Sequence, residues 1–235
     1  MSPQTARGEA EGLARPAILS ADTPRASDIA MRALDILVAG PALLVLSPLL
    51  LVVAILVRLD SRGPAIFRQE RIGRGLRPFR VVKFRTMGHG VSPEAHRAYV
   101  EQMIREDSAA EEGQAPGPMM KLQRDPRITK IGHFLRRTSI DELPQLWNVL
   151  RGEMSLVGPR PPIQYEVDAY PARAYRRFAV RPGLTGLWQV SGRSLVSFAE
   201  MIDLDTEYVE RRSLLLNLKI IFLTIPTVLH GKGAE

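Results

Sequence analysis

From Ile36 to Val57 the chain carries no charged side chain, a run of 22 residues and long enough in principle to cross a bilayer. Pro48, preceded by Ser47, sits inside it. The proline ring clashes with the carbonyl four residues back and supplies no amide donor, so a sharp bend is expected there. Ser47 is placed to satisfy a freed backbone group. Arg25 and Arg32 precede the run, while Arg58, Arg62, Arg68 and Arg71 follow it. Basic flanks stay on the cytoplasmic side, which draws both ends to one face. A re-entrant helix broken at Ser47 and Pro48 satisfies both observations. An ordinary spanning helix with a proline kink is the alternative. Either way the segment lies in lipid.

Around this anchor the chain divides into three parts. Residues 1–27 are rich in Ala, Gly, Pro and Ser/Thr without apolar periodicity and read as a disordered arm. The layout is not that of a secretory signal, because the apolar run begins too late. Residues 28–60 form the re-entrant membrane helix, and 61–235 form one compact domain. Strands are expected at 65–68, 79–86 and 153–157. Helices are expected at 94–107, 129–136, 140–151, 163–177 and 196–212, with an exposed loop at 108–118 and a Pro-rich turn at 158–162. The fold class is therefore mixed α/β, mostly helical with a small sheet, and without regular βαβ alternation. Leu214 to Leu229 is apolar but interrupted by Asn217, Lys219 and Pro226. An amphipathic helix lying at the membrane interface fits it best, against the alternative of a buried core helix.

Composition narrows the chemistry. The formal charge is +7, from 32 basic and 25 acidic side chains, which suits anionic partners without choosing among them. With no cysteine, disulfides, thiol catalysis and cysteine-ligated zinc are excluded. There is no HExxH run and no phosphate-binding Gly-rich lysine loop, and Gly73-x-Gly75 is only a fragment of a dinucleotide fingerprint. The densest polar constellation runs from Arg124 to Arg160, through Arg127, Arg136, Arg137, Asp141 and Glu142. Arginines near a carboxylate pair suit phosphoryl transfer: the cations neutralise phosphates while a carboxylate holds a metal or attacks phosphorus. A second reading is local, since Ser139-x-x-Glu142 matches a helix capping box.

The runs KFRTM (83–87), RDPRITKIGHFLRRTSIDELPQLWNVLRGEMSLVGPRP (124–161) and RPGLTGLWQVSGRS (181–194) resemble the bacterial sugar transferases. These are the monotopic polyprenyl-phosphate phosphoglycosyl transferases, here in compact form, and the resemblance extends from about Ala26 to Leu229. It implies that Asp141 and Glu142 are the catalytic dyad of a ping-pong reaction. Asp141 attacks the β-phosphate of a UDP-sugar, UMP leaves, and polyprenyl phosphate takes the phosphosugar from the carboxylate. Glu142 assists the second step or orients the site, and Mg²⁺ sits at Asp141 and the diphosphate. By their place in the motifs, Lys83, Arg136 and Arg160 match residues near the phosphates, and Arg193 with Asp205 matches a further polar pair. The glycine turn supplies Arg181, Gly183 and Thr185 as nucleotide contacts, with a purely structural turn as the alternative. The resemblance implies a membrane helix broken at Ser-Pro, here Ser47-Pro48, with the catalytic domain on the cytoplasmic face of the inner membrane. Trp147 and Trp188 are expected in the core or at the membrane interface.

The expected partners are a UDP-sugar, polyprenyl (undecaprenyl) phosphate and the bilayer, with a homodimer allowed for. Nucleic acid is not expected, because charge alone suggests it and the apolar anchor speaks against it. A nucleotide-sugar hydrolase and a non-catalytic basic membrane-binding module are the competing readings.

Overall fold

The structure is a computed structural model that describes residues 26–88, 127–192 and 196–229. The arm up to residue 25, the helix at 94–107, the loop at 108–118, and Arg124, Asp125 and Arg193 lie outside the described residues.

Helix α1 (Ala26–Asp60) has 35 residues and carries both Pro41 and Pro48 inside it. Among the described residues it is the one helix long and apolar enough to cross a membrane. Pro48 has no amide to give the Leu44 carbonyl. The Ser47 hydroxyl takes its place, donating to that oxygen at 2.7 Å, as expected for Ser-Pro in apolar surroundings. The middle of the helix is bare, with Leu44 77% and Val45 75% exposed.

Both ends of α1 are fastened to the body that follows. At the N-terminal end Asp28 pairs with Arg212 at 3.2 Å. Arg32 donates to Val149 O at 2.6 Å and Leu150 O at 2.8 Å, and Asp35 Oδ1 accepts from Ser155 Oγ and Leu156 N. At the C-terminal end Asp60 Oδ2 accepts from Ile131 N at 3.0 Å, and Arg85 donates to Ser61 O at 2.6 Å. Val53 and Val57 pack there with Phe84 and Leu135.

The body holds two small ladders where one small sheet was expected. Strands β1 (Ile66–Ile72) and β2 (Pro78–Phe84) form an antiparallel hairpin, with Ile66 opposite Phe84 and Ile72 opposite Pro78. A short turn joins them, with Gly75 at φ 64, a conformation that glycine adopts without steric cost. The strand expected at 65–68 thus runs on to Ile72: cross-strand pairing carries it through Gln69, Glu70 and Arg71, which show no apolar alternation.

Helix α2 (Lys130–Thr138) leads into a 3₁₀ helix (Ile140–Gln145) and then α3 (Leu146–Arg151). The single helix expected over 140–151 is therefore divided. Pro144 lies inside the 3₁₀ part, where it can give no amide to an α-helical ladder. Strand β3 (Ser155–Val157) is followed by α4 (Gln164–Asp168) and a second 3₁₀ helix (Ala172–Ala179). The helix expected over 163–177 is broken at Pro171 for the same reason. Strand β4 (Gly183–Thr185) pairs in parallel with β3. Helices α5 (Leu187–Ser191), α6 (Phe198–Arg211) and α7 (Leu214–Leu229) complete the fold.

One core joins α1 to the body through Ala39, Val81, Val149, Val157, Tyr208 and Ile220. Helix α7 has two characters. Its inner face is core, with Asn217 only 2% exposed and its Oδ1 3.0 Å from the buried Tyr208 hydroxyl. Its outer face leaves Leu215 78% exposed, beside Phe222 and Ile225. Trp188 is buried and Trp147 is exposed.

Asn148, buried on α3, completes the free edge of β2. Its Oδ1 accepts from Val82 N at 3.0 Å and its Nδ2 donates to Arg80 O at 2.7 Å. Asn148→Ala would leave both backbone groups unpaired next to Lys83. A loss of about 2 kcal/mol is expected, seen as a lower denaturation midpoint with an unchanged slope.

Candidate active site

Lys83 lies in β2, and the 3₁₀ helix carrying Asp141 and Glu142 packs against that strand. Lys83 Nζ meets Glu142 Oε1 at 2.6 Å. Three residues per turn set neighbouring side chains about 120° apart, so Asp141 points elsewhere and is buried.

The capping box does not form. Ser139 has φ 56 and ψ 16, in the left-handed region, and its side chain makes no capping bond. An N-cap needs extended backbone for its side chain to reach the third amide. Ser139 instead closes α2, its own amide donating to Arg136 O at 3.2 Å. A left-handed non-glycine residue costs about 1–2 kcal/mol, and such strain gathers at functional sites. Here it turns the chain abruptly from α2 into the segment that presents both carboxylates.

Arg136 is set by the docking of α2 on the end of the KFRTM segment. Thr129 N donates to Thr86 O at 3.0 Å, and Thr129 Oγ1 caps the helix by accepting from Gly132 N at 3.0 Å. A Cβ on Gly132 would collide with the Thr86 backbone, so only glycine permits this approach. One turn on, Arg136 Nε donates to Thr86 Oγ1 at 3.0 Å.

The charges interact strongly. Burial pushes the Asp141 carboxyl up to about 6, the neighbouring Glu142 charge adds to the rise, and Lys83 and Arg136 oppose it. Burial raises Glu142 too, but Lys83, with help from Arg160 and Arg71, outweighs it and holds Glu142 below the usual carboxylate range. The dyad is thus split into one reluctant and one ready anion, a common property of catalytic pairs. Burial and the Arg160 charge together lower Arg71 to about 10. Arg71 is the member of this cluster that sequence reasoning missed: it was counted only among the charges flanking the anchor. No local pattern marks it; the hairpin and the Pro-rich turn bring it to Arg160 and Glu142.

The other expected residues are placed as follows. Arg160 is exposed on its turn. Asp205 is fully buried and lies 2.6 Å from the equally buried Arg177. Arg181 Nε donates to Gly152 O at 2.9 Å. Gly183 packs so closely on Gly158 that a Cβ would strike its backbone. Thr185 Oγ1 is 2.8 Å from Thr224 Oγ1. These last three therefore tie β4 to its neighbours.

Among the described residues no group of three His, Asp or Glu side chains gathers as a metal cage. Mg²⁺ commonly binds through one or two carboxylates together with substrate phosphates. With Glu142 engaged by Lys83, Asp141 is the carboxylate of the pair left to serve as such a ligand.

The bacterial sugar transferase family model matches residues 26–231, and the chain belongs to that family. It is 49% identical over 180 residues, 76% of its length, to the galactosyl transferase CpsE of Streptococcus agalactiae. It is 46% identical over 184 residues, 77% of its length, to the UDP-galactose-lipid carrier transferase of Erwinia amylovora. It is also 40% identical over 189 residues, again 77% of its length, to the UDP-glucose:undecaprenyl-phosphate glucose-1-phosphate transferase of Caulobacter vibrioides. The matched region spans 37% of each of the first two relatives and 62% of the third.

In the folded protein Asp141 holds its proton up to about pH 6, whereas the free side chain releases it near 3.8. The stability this confers is complete below the lower value and lost as pH rises through the upper one. Asp141→Asn never ionises. It should therefore be more stable than the parent above pH 6, by about 3 kcal/mol, and nearly equal to it at pH 4. Thermal denaturation of the ligand-free protein at pH 4 and pH 8 checks this.

Proposed function

We propose that the protein transfers a sugar 1-phosphate from a UDP-sugar to polyprenyl (undecaprenyl) phosphate, releasing UMP and starting polysaccharide or glycan assembly. The observation that carries the proposal is the split dyad: a buried Asp141 carboxyl under the charges of Lys83 and Arg136, with its partner Glu142 ion-paired to Lys83 at 2.6 Å. The names of the Erwinia and Caulobacter relatives support the same donor and acceptor classes.

An Asp141 oxygen attacks the β-phosphorus of the donor. The bond from that phosphorus to the bridging oxygen breaks, and UMP leaves with the electron pair. Burial favours this step, because a poorly solvated carboxylate is a stronger nucleophile than a hydrated one. Lys83, Arg136 and Arg160 balance the charge of the phosphates. An oxygen of polyprenyl phosphate then attacks the same phosphorus, the acyl phosphate bond breaks, and Asp141 returns as carboxylate. Glu142, kept anionic by Lys83, orients that lysine and assists the second step. Mg²⁺ at Asp141, when bound, would neutralise diphosphate charge.

The membrane arrangement follows from α1. A crossing helix would place about 30 Å of hydrocarbon between its ends. Asp28 and Asp60 are both bonded to the same polar body, which supports a helix that dips into the cytoplasmic leaflet and returns. In this reading Ser47 and Pro48, inside the continuous helix, mark its bend, and the exposed apolar face of α7 suits the interface.

Two measurements test this. With UDP-sugars and no acceptor, the intact protein should gain the mass of a sugar phosphate, and Asp141→Asn should gain none while staying with the membrane. An unmodified mass in a protein that makes lipid product would exclude the covalent route, and free sugar phosphate without lipid product would indicate a hydrolase. For topology, cysteine tags at either terminus should label only from the cytoplasmic side. Labelling of the N-terminal tag from outside would refute re-entry.

A further inference from the structure

The turn Gly158-Pro159-Arg160-Pro161-Pro162 contains three prolines, so its backbone can donate little and must be held by its carbonyls. Every carbonyl from 159 to 162 is engaged. Pro159 O accepts from Gly183 N and Pro162 O from Ile72 N, both at 2.9 Å. The two central ones accept from guanidinium groups. Arg177 Nη2 donates to Arg160 O at 3.1 Å, and Arg71 Nη1 donates to Pro161 O at 3.0 Å.

Both arginines are buried and both are braced behind the turn. Arg71 donates its other arm to Gln69 Oε1 at 2.9 Å. Arg177 donates to the Tyr170 hydroxyl at 2.8 Å, lies over the Tyr170 ring at 5.3 Å, and pairs with Asp205. Two buried cations are a costly way to hold two carbonyls, but a guanidinium is a rigid fork that donates to several acceptors at fixed angles. What they hold is the backbone that follows the Arg160 side chain, while Gly183 N holds the carbonyl that precedes it.

We propose that Arg71 and Arg177 are positioning residues that aim Arg160 at a substrate phosphate by gripping consecutive carbonyls of its turn. The inference rests on Arg160 meeting phosphate, as in the function proposed above. It gives Asp205 a place in the site at one remove, as the counterion of Arg177.

The test is a double-mutant cycle on UDP affinity, measured by calorimetry on the full chain in detergent, so that it does not depend on the covalent step. Arg160→Ala and Arg71→Lys should each weaken UDP binding by about tenfold. The lysine keeps the charge, so its effect reports the lost fork. The double variant should bind within about threefold of Arg160→Ala alone, because Arg71 acts through Arg160. Arg177→Lys should behave likewise. If either lysine variant folds poorly, Tyr170→Phe, which loosens Arg177 without removing charge, takes its place in the cycle. Effects that multiply to about a hundredfold overturn the proposal, as does unchanged affinity in Arg71→Lys or in Arg160→Ala. Absence of UDP binding by the parent protein also overturns it. The mass gain at Asp141 is judged separately, so failure of the clamp and failure of the transfer mechanism are told apart.

Discussion

Lys83 and Glu142 meet at 2.6 Å across the boundary between a hairpin strand and a 3₁₀ turn, and the surrounding site is organised about that contact. The pair keeps Glu142 anionic, and the Glu142 charge in turn helps keep Asp141 from ionising. One lysine thereby sets two carboxylates to different tasks. Its own position depends on β2, which Asn148 completes on one edge and β1 on the other.

The same economy runs outward from the dyad. Gly132 lets α2 approach the Thr86 backbone, and this approach places Arg136. The strained Ser139 then turns the chain into the 3₁₀ segment on which the Asp141 and Glu142 side chains diverge. On the opposite side, guanidinium groups hold a proline-rich turn that cannot hold itself. Rigid, pre-set cations around a buried carboxyl are what stabilising a phosphoryl-transfer transition state requires, since charge complementarity is most effective when it need not reorganise.

The long apolar helix α1 is part of this framework as well. Asp35 bonds to β3, the strand that leads directly into the Arg160 turn, and Arg85, next to the strand that bears Lys83, bonds to Val57 and Ser61 at the end of α1. Helix α1 and the candidate site therefore share their supports. Under the proposed transfer to a lipid acceptor, that sharing would hold the carboxylates at a set depth beneath the surface.

Features written into consecutive residues were legible without coordinates. The apolar run depends on local composition and order and reappears as the long helix α1, and the motifs that carry Lys83, Asp141, Glu142 and Arg160 are likewise read from consecutive residues. Local reasoning went astray at Ser139, where a capping signature is overridden by the turn between two helices. It also went astray at residues 163–177, where Pro171 divides what periodicity joins. Arg71, Arg177 and Asn148 carried no signal at all, because each acts on backbone far away in sequence: Arg71 on Pro161, Arg177 on Arg160, Asn148 on Val82. Sequence alone determined which chemical groups are available and that an apolar segment accompanies them. Tertiary structure decided which of those groups are dry, which are paired and which face one another, because burial and charge interaction depend on distances that only the packed chain defines.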